Sequence, residues 1–240
     1  MGRYIEPGAG GRPVCTDCKA RPFAAYGGLA SSDAHAIELI RRDVRQIKAK
    51  RIIHRERETL DAVYTLREGW AFRFRLLADG RRQILSFLLP GSPIGLPLYL
   101  DARTNFSVQA LTDVTLCVFG RAELAAFFGS VANGPASLES CYANLCRASD
   151  ERLVDLGRRN ARERIASLIL GLHARMQLQG QAVEGAFHFP LRRQHIADAL
   201  GLTPVHVGRV LGQLVADKLI ALDRDTLTVL DERSLADLAR

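Results

Sequence analysis

Residues 191–220, LRRQHIADALGLTPVHVGRVLGQLVADKLI, constrain the fold more tightly than any other part of the chain. Ile196, Ala197 and Leu200 recur at helical spacing, which gives a first short helix one apolar face. Gly201 follows where the chain leaves that helix and needs a residue tolerant of positive φ. Thr203 then offers a hydroxyl that accepts from an orphan N–H, and Pro204 has the fixed φ suited to a first helical position. In the second helix Val207, Val210, Leu211 and Leu214 form the apolar stripe, so Val205, His206, Arg209 and Gln213 point outward. This pattern is a helix-turn-helix, and its outward face is the one that enters a DNA major groove. A plain helical hairpin is the alternative. Against it, Arg192, Arg193 and Gln194 open the first helix, where donors grip phosphate. In addition, LIALDRDTLTVLD (219–231) reads as two β-segments, 219–222 and 227–230, about the polar turn Asp223–Asp225. That is the wing of a winged helix.

The 240 residues suffice for two domains or one large one. A content of 48% hydrophobic and 25% charged residues is that of a globular chain and excludes extended disorder. No apolar run approaches the roughly 20 residues that span a bilayer. The stretch MGRYIEPGAGGRP lacks the apolar core of a signal peptide, so a cytoplasmic location without a membrane partner is expected. The net charge of +7 suits a polyanionic partner, although charge alone sets non-specific attraction rather than function. Five cysteines, an odd number, argue against a disulfide framework and leave metal binding or redox work open.

Residues 1–35 are rich in Gly, Pro and Ala and read as an arm. They contain Cys15-Thr16-Asp17-Cys18, whose spacing brings two sulfurs round one turn, as metal and cluster sites require. From Ser31 to Lys50 the pattern predicts a helix capped by Ser32 or Asp33. Ile37, Ile40, Val44 and Ile47 lie on one side of it, with Arg41, Arg42, Arg45 and Lys48 on a solvated face. Strand signals dominate from Arg51 to Phe119. WAFRFRLL and ILSFLL flank Ala78-Asp79-Gly80-Arg81, a strong hairpin signal, and SVQAL and VTLCVF follow. Antiparallel strands at this spacing predict a jelly-roll or similar barrel. Arg121–Phe128 reads as a short helix.

Residues 135–159 then read as one long helix. Its stripe is Leu138, Cys141, Leu145, Ala148, Arg152 and Asp155 or Leu156, mixed in polarity as on a helix packed against a partner helix. The expected organisation is an α+β chain: arm 1–35, β-barrel sensor domain 36–132, dimerisation helix 133–160 and winged helix-turn-helix 161–240.

That order of parts resembles the Crp/Fnr family of bacterial transcription regulators. DGRRQILSFLLPG, LGRRNARERIASLIL and LGLTPVHVGRVLGQL each look like family segments. The resemblance implies a homodimer joined through the long helix, with Glu151 on or beside its stripe, a palindromic double-stranded DNA operator and contact with RNA polymerase. Two-fold protein symmetry facing two half-sites is the physical reason for a palindrome.

Departures from the family pattern narrow the branch. The cyclic-AMP-binding members carry a glutamate in a GEL segment with an Arg-Ser pair beyond. Here the segment is Gly95-Leu96-Pro97-Leu98, and no such pair stands near Thr104-Asn105, so cyclic AMP is not expected. The Fnr-like oxygen sensors hold a [4Fe-4S] cluster with three N-terminal cysteines and one from the barrel. Cys15 and Cys18 match the first two, and Cys117 matches the barrel cysteine. The third position falls on Tyr26, whose phenolate is a poor substitute for a thiolate.

On the second helix the family's glutamate and serine are absent, and of that pattern Arg209 remains. It can pair bidentately with a guanine, Val205 can touch a thymine methyl, and His206 can meet a base or a phosphate. An oxygen- or redox-responsive regulator is therefore the leading expectation. A regulator that senses haem, nitric oxide or no ligand is the alternative. An enzyme of cupin type is the remote one, since His35, His54, His173, His188, His195 and His206 are dispersed and no motif for a catalytic nucleophile, phosphate loop or zinc-protease helix is present.

Overall fold

The computed structural model describes Cys15, residues 17–96 and residues 103–239. Most of the arm (1–14), together with Pro97 and Leu98, lies outside the described residues. Two compact units emerge. One holds the described residues up to Arg73 with Phe87–Tyr142, and the other holds Phe74–Ser86 with Ala143–Arg240.

In the first unit a 3-10 turn (Arg21–Phe23) precedes α1 (Ser31–Leu39). Strands β1 (Arg41–Ile47), β2 (Ile52–His54), β3 (Ala62–Glu68), β4 (Ala71–Leu76), β5 (Arg82–Leu88), β6 (Pro93–Ile94), β7 (Ser107–Ala110) and β8 (Val114–Gly120) follow. After them come α2 (Arg121–Ser130) and the long α3 (Gly134–Gly157), of which the part from Ala143, like the hairpin segment Phe74–Ser86, belongs to the second unit. The strands form two four-stranded sheets, ordered β1-β8-β3-β6 and β2-β7-β4-β5, rather than one closed barrel. The expected hairpin is present as β4 and β5. Gly80, at φ +83°, carries its turn, and the Leu77 N–H donates to the Arg81 carbonyl.

The helix expected over Ser31–Lys50 is corrected by the structure. It ends at Leu39, its N-cap is Ala30 with no side-chain bond, and Arg41–Ile47 form a strand instead. Strand β8 is buried along its whole length, so its backbone groups must be paired on both sides. β3 takes one edge, and β1 takes the other, from Arg41 opposite Phe119 to Ile47 opposite Val114. That pairing outweighs the weak helix preference of Val44 and Ile47, whose β-branched side chains fit a pleated surface well.

The core of this unit gathers Ile37, Val63, Phe119, Leu124, Phe127, Phe128 and Leu138, together with Cys15, Ala25, Tyr26 and Leu29. From Cys15 onward, then, the glycine-rich segment is packed into the domain. Ser137 Oγ on α3 donates to the Ala25 carbonyl at 2.6 Å and fixes that segment to the helix.

α3 stops at Gly157, short of the expected Arg159. Asn160 begins a new helix, α4 (Ala161–Leu178). Its side chain accepts from the N–H groups of Arg162 and Glu163, while the Glu163 carboxylate accepts from the Asn160 N–H. This capping box separates the two helices. Beyond α4 lie β9 (Ala182–Val183), β10 (Ala186–His188), α5 (Arg193–Leu200), α6 (Pro204–Ala216), β11 (Ile220–Asp223), β12 (Thr226–Val229) and α7 (Glu232–Leu238). β11 and β12 are the wing, in register from Ile220 opposite Val229 to Asp223 opposite Thr226. β10 and β9 extend it to a four-stranded sheet. Ile165, Leu168, Ile169, Leu172 and Met176 of α4 bury themselves in this unit's core, with Ile196 and Leu200 of α5 and Val207, Val210 and Leu214 of α6. No helix among the described residues is long and apolar enough to cross a membrane.

Candidate functional site

α5 and α6 meet as the sequence predicts. Gly201 adopts the left-handed conformation at φ +65° and closes α5. Thr203 caps α6, its Oγ1 accepting from the His206 N–H at 3.2 Å, and Pro204 occupies the first turn. Val207, Val210, Leu211 and Leu214 are buried, while His206, Arg209 and Gln213 are exposed. Val205 is 73% exposed, which for an apolar side chain leaves an uncovered methyl surface on the outward face. Val205, Arg209 and Gln213 are spaced four apart and form one row along the helix.

The opening of α5 differs in detail from the expectation. Arg192 is exposed, and its backbone N–H donates to His195 Nδ1 at 3.1 Å. Arg193 lies across α6. A Cβ at Gly208 would stand 3.0 Å from its guanidinium, so the glycine gives the arginine room to run over the second helix. Gln194 is exposed, as expected, but its amide is engaged within the helix. Its Nε2 donates to Asp198 Oδ1 at 2.6 Å. His195 is half-buried and its pKa is lowered. Burial is the largest cause, the positive charges of Arg82 and Arg192 add to it, and Asp198 opposes it.

The stripe expected on the long helix is only partly outward. Leu138 is buried in the first unit's own core, with Cys141 packed against it, and burial raises the Cys141 thiol pKa. Leu145 is half-buried; Ala148 and Glu151 are exposed. Asp155 is buried beneath Arg159, whose Nη1 donates to it at 2.6 Å, and Arg152 pairs with it at 3.5 Å. Glu151 pairs with the same Arg159 at 3.4 Å. These carboxylates are thus neutralised by arginines of their own chain. Leu138 and Asp155 are buried and Arg152 is half-buried, each with partners in its own chain. The large apolar side chains exposed on this helix are Leu153 and Val154, which the stripe omitted.

Cys15, Cys18 and Cys117 line one cavity of the first unit, together with Tyr26, Arg21, Arg41 and Arg67. The C-x-x-C pair sits on a turn closed by Cys18 N–H to Cys15 O, at 3.4 Å. Cys117 comes from β8, between Val44 of β1 and Thr65 of β3. The buried Arg41 directs Nη1 to Cys15 Sγ at 3.4 Å, and Glu38 accepts the Cys15 backbone N–H at 3.1 Å. Burial raises the Cys15 thiol, and Arg41 opposes that rise. Cys117 is pushed up to about 11 by burial, against the same arginine.

Tyr26 is buried, packed edge-on to Phe119 at 5.7 Å, and its hydroxyl is hydrogen-bonded to Thr65. Burial drives its pKa well above the usual phenol value, so it stands as a neutral core residue and not as an anionic ligand.

Set against an iron–sulfur cluster, the donors fit in kind. Three thiols share one cavity, and a guanidinium points at one sulfur. The cavity of about 10 Å³ takes about one water molecule. Among the described residues, no three His, Cys, Asp or Glu side chains stand close enough together to hold one metal ion.

Arg41, Arg67 and Arg21 were not legible as site residues from the sequence. Arg41 reads as a helix face there, and strand pairing alone turns it inward. His54 is a structural histidine, buried and hydrogen-bonded through Nε2 to Thr104 Oγ1 at 2.6 Å, and burial lowers its pKa.

Comparison with known proteins agrees with this architecture. A cyclic nucleotide-binding domain family matches residues 44–130, and a Crp-like helix-turn-helix domain family matches residues 163–238. The chain is 36% identical to the transcriptional activatory protein AadR of Rhodopseudomonas palustris, over 93% of this chain and 92% of that protein. It is 33% identical to the nitrogen fixation regulation protein FixK of Bradyrhizobium diazoefficiens, over 98% of this chain and 96% of the relative. The solved structure of FixK2 from Bradyrhizobium japonicum superposes with a TM-score of 0.76 at 28% identity, covering 82% of this chain and 97% of that one. With a cyclic-nucleotide-binding-like domain ahead of a winged helix-turn-helix, and with relatives of this identity along nearly its whole length, the chain belongs to the Crp/Fnr family of transcription regulators.

Proposed function

We propose that the chain acts in the cytoplasm as a homodimer that binds a palindromic double-stranded site through α6 of each protomer, contacts RNA polymerase, and answers to oxygen or redox state through Cys15, Cys18 and Cys117. The observation that carries the redox part is the convergence of three cysteines, two from the arm and one from β8, on a single cavity with three arginines. Positive charge beside a thiol favours the thiolate, the form that binds metals and reacts with oxidants, and here Arg41 opposes, without outweighing, the rise that burial imposes on Cys15 and Cys117. Cys15, Cys18 and Cys117 would hold a [4Fe-4S] cluster with one iron left to a non-protein ligand, and the cavity would have to widen to admit it. Such a cluster supplies oxygen-labile redox chemistry when bound. Gly95-Leu96, in place of a glutamate-bearing segment, argues against cyclic AMP as the ligand.

A second reading is a regulator of the same family that carries no cluster. The hydrogen-bonded, neutral Tyr26 at the place of the missing cysteine favours it. Anaerobic reconstitution with iron and sulfide, followed by metal analysis, separates the two. Selection of bound sequences from a random DNA pool with and without oxygen then tests the response. The cluster reading expects stoichiometric iron that Cys117→Ser abolishes. The absence of bound iron, with identical selected sites under both atmospheres, would leave the cluster-free regulator.

A further inference from the structure

The segment Phe74–Ser86, the outer part of the β4–β5 hairpin, belongs to the same compact unit as the winged helix-turn-helix. Its residues reach α5 at two places. Arg82, the first residue of β5, directs both Nε and Nη2 to Asp198 Oδ2, at 2.8 and 2.7 Å. The two side chains are largely shielded, 24% and 11% exposed, so solvent screens the pair less than it screens a surface pair. The other Asp198 oxygen accepts from Gln194 in the first turn of α5. Gln83 Nε2 donates to the Ala199 carbonyl at 3.1 Å.

That carbonyl is one of the orphans at the end of α5. Its neighbours are also met, Ala197 O by the Gly201 and Leu202 N–H groups and Leu200 O by Arg164 Nη1 at 3.1 Å. The helix is therefore held at its C-terminal end by the hairpin on one side and by α4 on the other. Its N-terminal end carries Arg192 and Arg193, and Arg193 lies over Gly208 of α6.

We infer that Arg82 and Gln83 are positioning residues for DNA recognition. They fix α5 through Asp198 and Ala199, and thereby fix the placement of Arg193 and α6, without themselves touching DNA. The inference rests on the family's DNA-binding function and is independent of the cysteine cavity, so it stands or falls separately from the cluster. The pair also accounts for Asp198. A carboxylate four residues from Gln194 would repel phosphate if left bare, and Arg82 balances its charge.

A double-mutant cycle on DNA binding tests this. Arg82→Gln should weaken binding about tenfold, both to mixed-sequence duplex DNA and to a site recovered from a random pool, because a charge-assisted bond is lost. Base preference should stay as it was, and so should the slope of affinity against salt, since no phosphate contact is removed. In an Asp198→Asn background the same change should cost much less, which is the signature of coupling. Gln83→Leu, which alters no charge, should weaken binding about threefold, as expected for one lost neutral bond. Additive effects of Arg82→Gln and Asp198→Asn, a changed salt slope, or affinity that is unchanged or raised in Arg82→Gln would each overturn the inference. So would a loss that in both Arg82→Gln and Gln83→Leu merely follows unfolding seen by circular dichroism.

Discussion

Arg41 Nη1 lies 3.4 Å from Cys15 Sγ, with both residues buried, and the bond joins the arm to the first strand of the sheet. Glu38 closes the group by accepting the Cys15 N–H and lying 3.9 Å from Arg41. Losing a charged donor from such a site costs about 1.5–3 kcal/mol. Arg41→Gln should therefore lower the urea midpoint and speed alkylation of Cys15, while labelling of the exposed Cys146 stays constant. Equal labelling rates of Cys15 in the two proteins would show that the arm is held by other contacts.

Tyr26 fills core space between the arm and Phe119, and its position in a cluster-ligand pattern does not alter that packing. Tyr26→Phe keeps the ring and loses the bond to Thr65, so a cost of about 1 kcal/mol is expected. Tyr26→Cys supplies the missing thiol and removes the ring, at a cost on the order of 3 kcal/mol for the cavity left behind. The cysteine variant should thus melt earlier than the phenylalanine variant, whether or not it binds iron. Equal melting temperatures would mean that the site collapses freely around the smaller side chain.

The helix-turn-helix was legible because its signals are local. The apolar spacing of Ile196 to Leu214, the positive-φ Gly201 and the Thr203 cap all act within a turn or two of chain. The same holds for the hairpin at Gly80, whereas Cys117, far along the chain from Cys15 and Cys18, was linked to them only through the family resemblance. What the sequence concealed is set at long range. Arg41–Ile47 carries a helix-like apolar period, and it becomes a strand because β8, over sixty residues away, has an open edge. The stripe from Leu138 to Asp155 looks like a partner-facing seam until Leu138 is seen against Phe128 and Asp155 against Arg159. Asn160 was a readable signal, since Asn-x-x-Glu marks a helix start, and it explains why α3 ends where it does.

His195 gives a pH dependence whose sign follows from its surroundings. Burial and the charges of Arg82 and Arg192 lower its folded-state pKa below the ordinary 6.5. The fold therefore prefers the neutral ring. The stabilisation is complete above the unfolded value and declines as pH falls from there towards the folded value, because the unfolded chain takes up the proton first. Unfolding of the winged helix-turn-helix should thus become easier as pH falls through and below the ordinary histidine value, and His195→Gln should flatten that slope. A slope in the variant equal to that of the parent would assign the dependence to other groups.

Arg209 and Arg193 should separate specificity from affinity. Arg209 is exposed in the Val205–Gln213 row, whereas Arg193 runs over Gly208 from the start of α5. Arg209→Ala should cost about 1–3 kcal/mol on a selected site and relax preference at one base pair per half-site. Arg193→Ala should weaken binding to every sequence and reduce the salt slope by about one. An unchanged selected motif for Arg209→Ala would mean that α6 is not the reading helix.

Glu151 and Asp155 both pair with Arg159 of their own chain, so like charges on α3 are balanced there. The exposed apolar pair Leu153 and Val154, 69% and 45% exposed, is the better candidate for what a partner helix covers. Covering a leucine contributes about 1.5–3 kcal/mol, and a two-fold interface counts the residue twice. Leu153→Glu should accordingly weaken self-association by two orders of magnitude or more, on the order of 3 kcal/mol, visible as a shift to monomer in sedimentation velocity and a parallel loss of binding to a palindromic site. Glu151→Ala, which breaks only an exposed pair within the chain, should leave the association constant within about threefold of the parent. Should Leu153→Glu sediment as the parent does while Glu151→Ala shifts the equilibrium, the interface would lie on the charged side of α3 and the apolar pair would serve some other contact.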